Sequence, residues 1–428
     1  MNYNFTDQQK IAFNYLCSGE NVFLTGPAGS GKTFLLNEFI KWFINNKEKD
    51  NSKIYITSTT GLSALLINGM TINRYSGIGT ANKTVEEYFK KIIKLGHLKK
   101  RWLNTTVLII DEISMMNPET FDKLEILAKK IRKNDLPFGG IQIILSGDFL
   151  QLPPVKCENF CFESFAWSMV INKTVYFDKI LRQDDIKLQK ILNSVRVGVI
   201  TEDVKILLNS CLNKDLDNKD GIIPTLLYSR KNMVNEYNLK ELNKLVNNGF
   251  ENNNYVADYI YGKNIKNESK DFLKDLLNSQ YQVDDGIKLS VNTQVMLTVN
   301  MPEYNLANGS RGIITSFSSE KYPIVLFLNN QLLEIKLHEY ILEEGGDSVK
   351  KLQIPLIHSW AITIHKAQGM TLDFLKTDIG NSIFEYGQAY VVLSRIKNID
   401  GLSLCNIDFS KIRANPKILK YYDDLSLK

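Results

Sequence analysis

Cysteine is scarce in this sequence, and its positions give no sign of a disulfide framework. Five cysteines occur in 428 residues without a pairing pattern. Cys157 and Cys161 could share one face of a helix, but no histidine or second cysteine pair accompanies them. We therefore expect buried thiols rather than a metal site. The missing disulfide pattern favours an intracellular, reducing compartment.

Long apolar runs and targeting signals are also missing. No run approaches the ~20 residues of a membrane span. The first ten residues, MNYNFTDQQK, lack the apolar core of a signal peptide. Lys99-Lys100-Arg101 is too short to argue for nuclear import. We therefore expect an intracellular protein that is not secreted, with no targeting segment.

The charge balance excludes little. The chain has 52 Lys and Arg against 47 Asp and Glu, a formal net charge of +5. This excess is compatible with an anionic partner without being diagnostic of one. Hydrophobic and charged contents of 44% and 23% are ordinary for a globular protein, and the length allows two to four domains.

The clearest positive signal is NVFLTGPAGSGKT at residues 21–33. An apolar strand, a turn of small residues and the start of an apolar-striped helix follow one another, and the turn fits G-x-x-x-x-G-K-[ST]. Small side chains let backbone N–H groups surround phosphate oxygens, and the helix adds its positive dipole end. Lys32 would charge-pair with the β/γ oxygens, and Thr33 would offer a hydroxyl to Mg²⁺. The predicted phosphate-loop residues are Gly26, Pro27, Ala28, Gly29, Ser30, Gly31, Lys32 and Thr33.

Two carboxylates follow a second apolar strand, VLIIDE at 107–112. In a phosphate-loop protein, Asp111 would hold Mg²⁺ through water and Glu112 would take a proton from the attacking water. The alternative is a cap for the following helix. SGDFLQLPP follows a further buried strand and puts Gln151 where ligands bind in parallel α/β sheets. This glutamine could touch the γ-phosphate, or it could be a chance turn residue.

Two further stretches are ambiguous from the residues alone. Thr59-Thr60-Gly61 ends a strand just before a helix, so its exposed N–H groups could hold a phosphate of a second ligand or simply cap the helix. Residues 84–101 predict a basic amphipathic segment, either a solvated face or a nucleic-acid surface.

The order of patterns predicts an α/β protein. Apolar strands alternate with helices to about residue 170, as in a doubly wound parallel sheet, and TLLYS at 225–229 begins a second such unit. Short alternating strands over 287–342, with turns at Asn308-Gly309 and Asn329-Asn330, predict a small β-barrel inserted in the second unit. A helical pattern returns over 358–369.

Together these motifs resemble the petite-integration-frequency (Pif-type) DNA helicases, in the 5′-to-3′ branch of helicase superfamily one (superfamily 1B). The resemblance covers nearly the whole chain, and TIHKAQG and AYVVLSR discriminate far better than the phosphate loop. The matching stretches are TGPAGSGKT, TSTTGLSALLINGMTIN with YSGIG, LIIDEISMM, LSGDFLQLPPV, FESFAW, ILRQDD with VRVG, QVMLTVN with NGSRG, WAITIHKAQGMTLD and GQAYVVLSRIKNIDG.

The resemblance implies two RecA-like P-loop domains with two insertions. Domain 1A would span 1–74 and 105–170, and a small helical wedge, domain 1B, would span 75–104. Domain 2A would span 171–263 and 352–428, and domain 2B, with an SH3-like barrel, would span 264–351. A family histidine is replaced by Asn73, which puts one DNA contact in doubt.

The resemblance also implies the activity and further site residues. The family hydrolyses ATP, with Mg²⁺, to step along single-stranded DNA and separate strands at junctions, with a monomer as the basic motor. This implies action in the cytoplasm or another compartment that contains DNA. Gln9 would read the adenine, and Arg182 and Arg395 would reach the γ-phosphate from the second lobe across a cleft. DNA would contact Thr60, Arg74, Pro154, Thr363, His365 and Lys366.

Other readings make different demands on the sequence. A translocase that does not separate strands would use the same motifs. A nucleotide kinase would need an acceptor site and lid but neither TIHKAQG nor AYVVLSR. A binding protein with a dead site is disfavoured by the intact Lys32, Asp111, Glu112 and both arginines.

Overall fold

The structure is a computed structural model. It describes residues 5–47, 52–79, 81–154, 157–183, 185–216, 222–262, 265, 267–281, 283–306, 308–344, 347–368 and 370–426. In this part of the chain, no helix is long and apolar enough to span a membrane.

Some helices begin at residues whose side chains cap them. Thr6 caps the first helix, because its side chain accepts a hydrogen bond from Gln9 N while Gln9 Oε1 accepts from Thr6 N, forming a capping box. The same arrangement joins Thr84 and Glu87. The helices are α1 (Asp7–Cys17), α2 (Lys32–Lys47), α3 (Gly61–Leu66), α4 (Ile72–Ser76), α5 (Val85–Lys94), α6 (Gly96–Asn104), α7 (Pro118–Arg132), α8 (Trp167–Val170), α9 (Ile186–Val197), α10 (Glu202–Asn209), α11 (Lys231–Asn247), α12 (Asn267–Tyr281), α13 (Ile364–Ala367), α14 (Gln388–Leu393) and α15 (Pro416–Ser426).

The strands form both parallel and antiparallel sheets. They are β1 (Val22–Thr25), β2 (Lys53–Ser58), β3 (Met70–Thr71), β4 (Thr105–Asp111), β5 (Gln142–Gly147), β6 (Lys173–Tyr176), β7 (Thr225–Tyr228), β8 (Asn252–Val256), β9 (Asp258–Tyr261), β10 (Gly286–Ser290), β11 (Gln294–Leu297), β12 (Arg311–Phe317), β13 (Pro323–Phe327), β14 (Leu332–Glu334), β15 (His338–Glu344), β16 (Asp347–Gln353), β17 (Leu356–His358), β18 (Ala361–Thr363), β19 (Leu375–Ile379) and β20 (Leu402–Ile407).

The chain divides into two compact units. The first comprises Met1–Val199, Glu385–Ser394 and Ile412–Lys428, and the second comprises Ile200–Phe384 and Arg395–Lys411.

The first unit is built on a parallel sheet of order β3-β2-β4-β5-β1-β6. Its strands bury both faces because alternate residues point to opposite sides. On β4, Leu108 and Ile110 join one core, whereas Val107 and Ile109 join the other. This double burial explains the uninterrupted apolar runs in the sequence. Because the strands are parallel, the carboxyl ends of β1, β4 and β5 lie at the same edge of the sheet.

The second unit carries a parallel sheet of order β18-β7-β19-β20 and antiparallel sheets. The larger antiparallel sheet has the order β14-β13-β12-β11-β17, and its core includes Val295, Leu297, Ile314, Val325 and Phe327. The α/β class with two parallel-sheet domains is therefore confirmed. Strands also occur where the inserted barrel was expected, while its SH3-like closure stays a prediction.

The segment predicted as a helical wedge contains α5 and α6, which bury Tyr88, Ile92, Leu98 and Trp102. Arg132 of α7 donates from Nη1 to the carbonyls of Trp102, Leu103 and Thr105 at 2.7, 3.0 and 3.0 Å, which fixes the end of α6.

Part of the basic character of this segment is structural. Arg101 donates to the carbonyl oxygens of Arg74 and Tyr75 at 2.8 and 3.0 Å, and Lys91 donates to that of Gly77 at 2.9 Å. Among the described residues of this segment, Lys83, Lys90, Lys94, Lys99 and Lys100 are exposed and make no such backbone contact.

Three expectations about the fold need correction. The predicted end of domain 1A at residue 170 lies too early in the chain, because β6 pairs with β1 and extends the first sheet. Likewise α14 and α15 belong to the first unit, although the sequence placed them in the second. The helix expected over 358–369 is not continuous: over 358–368 only α13 is helical, and it follows β18, which pairs with β7, while residue 369 lies outside the described residues. Buried Trp360, Ala361 and Ile362 serve a parallel strand there, which local periodicity does not distinguish from a buried helix.

Candidate nucleotide-binding site

The phosphate loop joins β1 to α2 in the first unit. Gly26 has φ 143°, and a Cβ there would lie 2.3 Å from the carbonyl oxygen of Phe177. Gly31 has φ 87°, a backbone conformation that side chains disfavour. These two positions therefore require glycine for backbone reasons, as the motif predicts.

Lys32 folds back across the loop. Its Nζ donates to the carbonyl oxygens of Gly26 and Pro27 at 2.8 and 2.9 Å and to Ser30 Oγ at 3.4 Å. Burial lowers the pKa of Lys32, and the negative charges of Asp148, Glu112 and Asp111 oppose this shift. The ammonium thus lies among loop carbonyls and faces three carboxylates of the same sheet edge.

The two carboxylates at the end of β4 lie at that edge. Asp111 is 7% exposed, and burial raises its pKa. Glu112 adopts the left-handed conformation, with φ 53° and ψ 43°, which is uncommon for a non-glycine residue. Thr59 holds this turn, because its N–H donates to Asp111 O at 3.3 Å and its hydroxyl donates to Glu112 O at 2.9 Å. The Thr59-Thr60-Gly61 stretch therefore supports the acidic turn.

Gln151 lies in the turn that follows β5. Its N–H donates to Asp148 O at 3.0 Å, and the residue is 6% exposed. Asp148 is fully buried and forms an ion pair with Arg196 of α9 at 2.9 Å. Burial would raise the pKa of Asp148, but the charge and hydrogen bonds of Arg196 outweigh it and lower the pKa. The sequence did not predict the pairing of Asp148 with Arg196, because 48 residues separate them.

Gln9 is 1% exposed rather than a solvated residue of the first turn of α1. Its Oε1 completes the capping box, and its Nε2 has no hydrogen-bond partner among the described residues. That Nε2 lies 2.5 Å from the position a Cβ would take on Gly31, which places it against the phosphate loop. A buried amide donor without a partner is costly, so this geometry fits a ligand acceptor.

Arg182 belongs to the first unit, which corrects the expectation that it projects from the second. Gly29 O accepts hydrogen bonds from Leu181 N at 2.8 Å and from Arg182 N at 3.1 Å. A Cβ on Gly29 would lie 2.7 Å from Arg182 Cβ. The arginine therefore follows a segment that is hydrogen-bonded to the phosphate loop itself.

Arg395 belongs to the second unit and is 2% exposed. Its Nη1 lies 3.5 Å from Ala367 O and 3.4 Å from Met370 O, and its backbone carbonyl accepts from Leu372 N at 2.8 Å. These contacts tie it to TIHKAQG, through Ala367, and to the residues that follow that motif.

The predicted DNA contacts are distributed over both units. In the first unit, Thr60 Oγ1 accepts a hydrogen bond from Ser63 N at 3.2 Å and so caps α3. Arg74 lies in α4, and Pro154 is buried. In the second, Thr363 caps α13, His365 is exposed and Lys366 is half-buried. Their contacts with DNA stay predictions.

Tyr390 of α14 is a residue that sequence reasoning missed. Its hydroxyl accepts a hydrogen bond from Ala28 N at 2.8 Å, inside the phosphate loop. No local pattern could have found this pair, since 362 residues separate its members. The AYVVLSR motif was the available signal, but it identified Arg395 rather than the tyrosine.

The donor set at this edge fits Mg²⁺. Asp111 and Thr33 offer hard oxygen ligands, and Mg²⁺ usually takes one or two protein carboxylates together with phosphate oxygens and water. No group of three or more His, Cys, Asp or Glu in the described chain could hold a metal ion.

Comparison with known sequences identifies relatives over the full length. The PIF1-like helicase family matches residues 4–201. The chain is 34% identical to uncharacterized protein 030L of Invertebrate iridescent virus 6, covering 99% of this chain and 95% of that protein. It is 35% identical to ATP-dependent DNA helicase RRM3 of Saccharomyces cerevisiae and 36% identical to ATP-dependent DNA helicase PIF1 of Xenopus laevis, covering 98% of this chain in both cases. It spans 67% and 64% of those two proteins, about two thirds of their length.

Solved structures of Pif1 helicases are also similar to this chain. The Candida albicans Pif1 helicase aligns with a TM-score of 0.83 and 32% identity, covering 99% of this chain and 100% of that one. A Bacteroides Pif1 helicase in complex with ADP-AlF3 and single-stranded DNA aligns with a TM-score of 0.67 and 25% identity, covering 99% and 97%. A structure concerning DNA unwinding at forked duplex DNA by two coordinating Pif1 helicases aligns with a TM-score of 0.67 and 26% identity, with the same coverage.

Proposed function

This chain belongs to the PIF1-like helicase family, and we propose that it is an ATP-dependent DNA helicase that translocates 5′ to 3′ on single-stranded DNA and unwinds duplex or structured DNA. The observation that carries the proposal is the phosphate-loop edge of the first unit. Lys32, Asp111, Glu112 and Gln151 all belong to this edge, in a chain whose relatives include named ATP-dependent DNA helicases.

The first step is nucleotide binding. The phosphate-loop N–H groups and Lys32 would hold the phosphates, and the unpaired Gln9 amide would donate to the adenine edge. Thr33 and Asp111 would hold Mg²⁺, which when bound neutralises charge on the β- and γ-phosphate oxygens. The bound ADP-AlF3 of the Bacteroides relative supports an adenine nucleotide as the substrate.

Hydrolysis would then use the acidic turn and two arginines. Glu112 would accept the proton of the attacking water, and Gln151 would orient that water near the γ-phosphate. Arg182 and Arg395 would stabilise charge that develops on the transferred phosphoryl group, as arginine fingers do. Arg182 adjoins the phosphate loop through Gly29 and would act from within the first unit. Arg395 would reach the nucleotide during the cycle.

DNA is the proposed track because one structural relative is in complex with single-stranded DNA and another structure concerns DNA unwinding at forked duplex DNA. Thr60, Arg74 and Pro154 of the first unit and Thr363, His365 and Lys366 of the second are the proposed contacts. Phosphate contacts of this kind position a strand without reading its sequence, so binding would be sequence-tolerant and weaken with salt. We propose a monomer as the basic motor unit.

We also propose the domain assignment implied by the resemblance, with the changed boundaries. The first unit would correspond to domain 1A with the helical wedge 1B at 75–104. The second would correspond to domain 2A with 2B at 264–351.

The decisive experiment measures ATP hydrolysis and strand separation on duplexes with a 5′ tail, a 3′ tail or no tail. A 5′-to-3′ helicase separates the 5′-tailed duplex and needs ATP and Mg²⁺. DNA-stimulated hydrolysis without separation of any duplex would support a translocase instead. Titrating protein against a fork at fixed DNA concentration distinguishes one bound motor from two.

A further inference from the structure

A buried polar cluster lies beside the phosphate loop in the first unit. Arg196 donates to both carboxylate oxygens of Asp148, from Nε to Oδ2 and from Nη2 to Oδ1, each at 2.9 Å. Its Nη1 donates to the hydroxyl of Tyr176 at 2.9 Å. Asp148 is 0% and Arg196 7% exposed, so this bidentate pair is withdrawn from water.

The phenol of Tyr422, on the C-terminal helix α15, completes this cluster. Its hydroxyl donates to Asp148 Oδ1 at 3.1 Å and accepts from Phe149 N at 3.1 Å. It also lies 2.7 Å from Thr25 Oγ1. A phenol has one hydrogen to donate, and the carboxylate takes it, so Thr25 must be the donor in the third bond. The hydroxyl therefore makes every strong hydrogen bond available to it.

The three partners of this hydroxyl lie on both sides of the proposed phosphate site. Thr25 is the last residue of β1 and directly precedes Gly26. Asp148 and Phe149 begin the turn that ends in Gln151, whose N–H donates to Asp148 O. One side chain thus connects the base of the phosphate loop to the turn that carries the proposed water-orienting glutamine.

We propose that Tyr422 is a positioning residue for ATP hydrolysis: it holds the start of the phosphate loop and the Gln151 turn in one fixed geometry, from a helix at the other end of the chain. The proposal rests on the proposed function, because it assigns the hydroxyl to the same nucleotide site. It predicts an effect on turnover rather than on nucleotide affinity, since Tyr422 supports groups that act on the γ-phosphate and is not itself a nucleotide ligand.

The surroundings keep the phenol in its donor form. Burial raises the pKa of Tyr422, and the nearby negative charge of Asp148 raises it further. The aromatic ring also packs under the guanidinium of Arg196, 5.3 Å from its Cζ. The hydroxyl hydrogen therefore stays directed at the carboxylate across the working pH range.

The test compares Tyr422→Phe, Thr25→Val and the double variant. The matched control is Thr57→Val, because Thr57 is also a fully buried strand residue of the first sheet and donates its hydroxyl hydrogen to Ile109 O at 2.6 Å. With saturating single-stranded DNA, we measure kcat and KM for ATP, the Kd of a fluorescent ADP analogue and the Tm.

We expect Tyr422→Phe, which removes three hydrogen bonds, to lower kcat about tenfold, and Thr25→Val, which removes one of the three, to lower it about threefold. Kd and KM should change less than about threefold, and Thr57→Val should keep the wild-type kcat. The double variant should be no slower than Tyr422→Phe alone, because both substitutions break the same bond.

Three outcomes would overturn the inference. They are a wild-type kcat in Thr25→Val, an equal loss of kcat in Thr57→Val, or multiplicative losses in the double variant. If Tyr422→Phe does not fold, Thr25→Val decides alone, since it leaves α15 and the ion pair in place. An inactive wild-type protein would refute the proposed function, whereas an active one with an unaffected Thr25→Val variant refutes only this inference.

Discussion

Two lysines of this chain are drawn away from bulk water, and their surroundings differ in kind. Lys32 of the first unit is held by two backbone carbonyls and the Ser30 hydroxyl. Lys351 of the second unit is 0% exposed and is held by Asp285 Oδ1 at 2.9 Å, Asn278 Oδ1 at 2.9 Å and Val283 O at 2.6 Å. The ring of Tyr259 lies 5.6 Å from its Nζ.

The difference indicates what each lysine is for. The charge of Lys351 is neutralised by a carboxylate at hydrogen-bond distance, so it completes a network that joins β16 to the start of β10. Lys32, in contrast, forms no ion pair with any described residue, and burial lowers its pKa. The hydrogen bonds of Lys32 all go to neutral oxygens, and the carboxylates of Asp148, Glu112 and Asp111 offset the effect of burial only in part. Such a cation gains from an external anion, and a nucleotide phosphate would supply it.

The largest effect is expected from Lys32→Ala. Lys32→Ala removes a positive charge proposed to contact the transferred phosphate. The kcat should fall about 10²- to 10³-fold, which is the range for the loss of one preorganised donor. Single-stranded DNA binding should stay near wild type, because the proposed DNA contacts lie elsewhere. Phosphate release and fluorescence anisotropy of a labelled strand measure the two properties. Substantial DNA-stimulated turnover in this variant would contradict the role assigned to Lys32.

The converse experiment is Lys351→Met, which should destabilise the second unit but leave the residues proposed for ATP hydrolysis unchanged. Asp285 is 45% exposed and keeps Lys274 as a second partner at 2.9 Å, so the loss should be about 1–3 kcal/mol, between that of a fully buried pair and that of an exposed one. The matched control is Lys350→Met, because Lys350 is 40% exposed and pairs with Glu339 at 2.9 Å on the surface. That exposed pair should contribute about 0–1 kcal/mol. Urea unfolding measures both; equal losses in the two variants would remove the distinction between the sites.

A pH series sharpens the same comparison. Burial would raise the pKa of Asp285, but hydrogen bonds from Tyr259, Lys274 and Lys351 outweigh it and lower the pKa. A carboxyl with a depressed folded pKa stabilises the protein above its unfolded value, about 3.9, and loses this contribution as pH falls toward the folded value. The stability gap between wild type and Lys351→Met should therefore be constant from pH 7 to about 5 and narrow below about pH 4.

A constant gap down to pH 3 would show that the Lys351 site is stabilised by packing rather than by charge. The Lys350→Met gap serves as the baseline, because Glu339 lies on the surface and gains little from its partner.

The smallest effect is expected at Gln9. Gln9→Glu keeps the oxygen that accepts from Thr6 N and removes the unpaired amide donor. ATP affinity should fall about three- to tenfold, the value of one hydrogen bond. Gln8→Glu places a similar charge one residue away and serves as the control. Calorimetric titration with ATP and GTP measures the change; equal losses in both variants would reduce the effect to charge alone.

Much of the site was predictable because its signals are local. The phosphate loop, the acidic turn after β4 and the cap at Thr6 each occupy one short stretch, in which backbone conformation and chemistry impose their residue types together. The helix expected over 358–369 failed for the opposite reason. A short apolar run suits a buried helix and a buried strand equally, and its pairing with β7 decided between them.

The sequence by itself determined the α/β class, the phosphate loop, its carboxylates and the family, since these depend on residue types at close spacing. Only the tertiary structure decided that Arg182 adjoins the phosphate loop in the first unit. It also brought Tyr390 to Ala28 and Tyr422 to Thr25 and Asp148. The physical reason is that these bonds join residues more than 150 positions apart, where the packing of whole elements sets which side chains meet and no local preference records it.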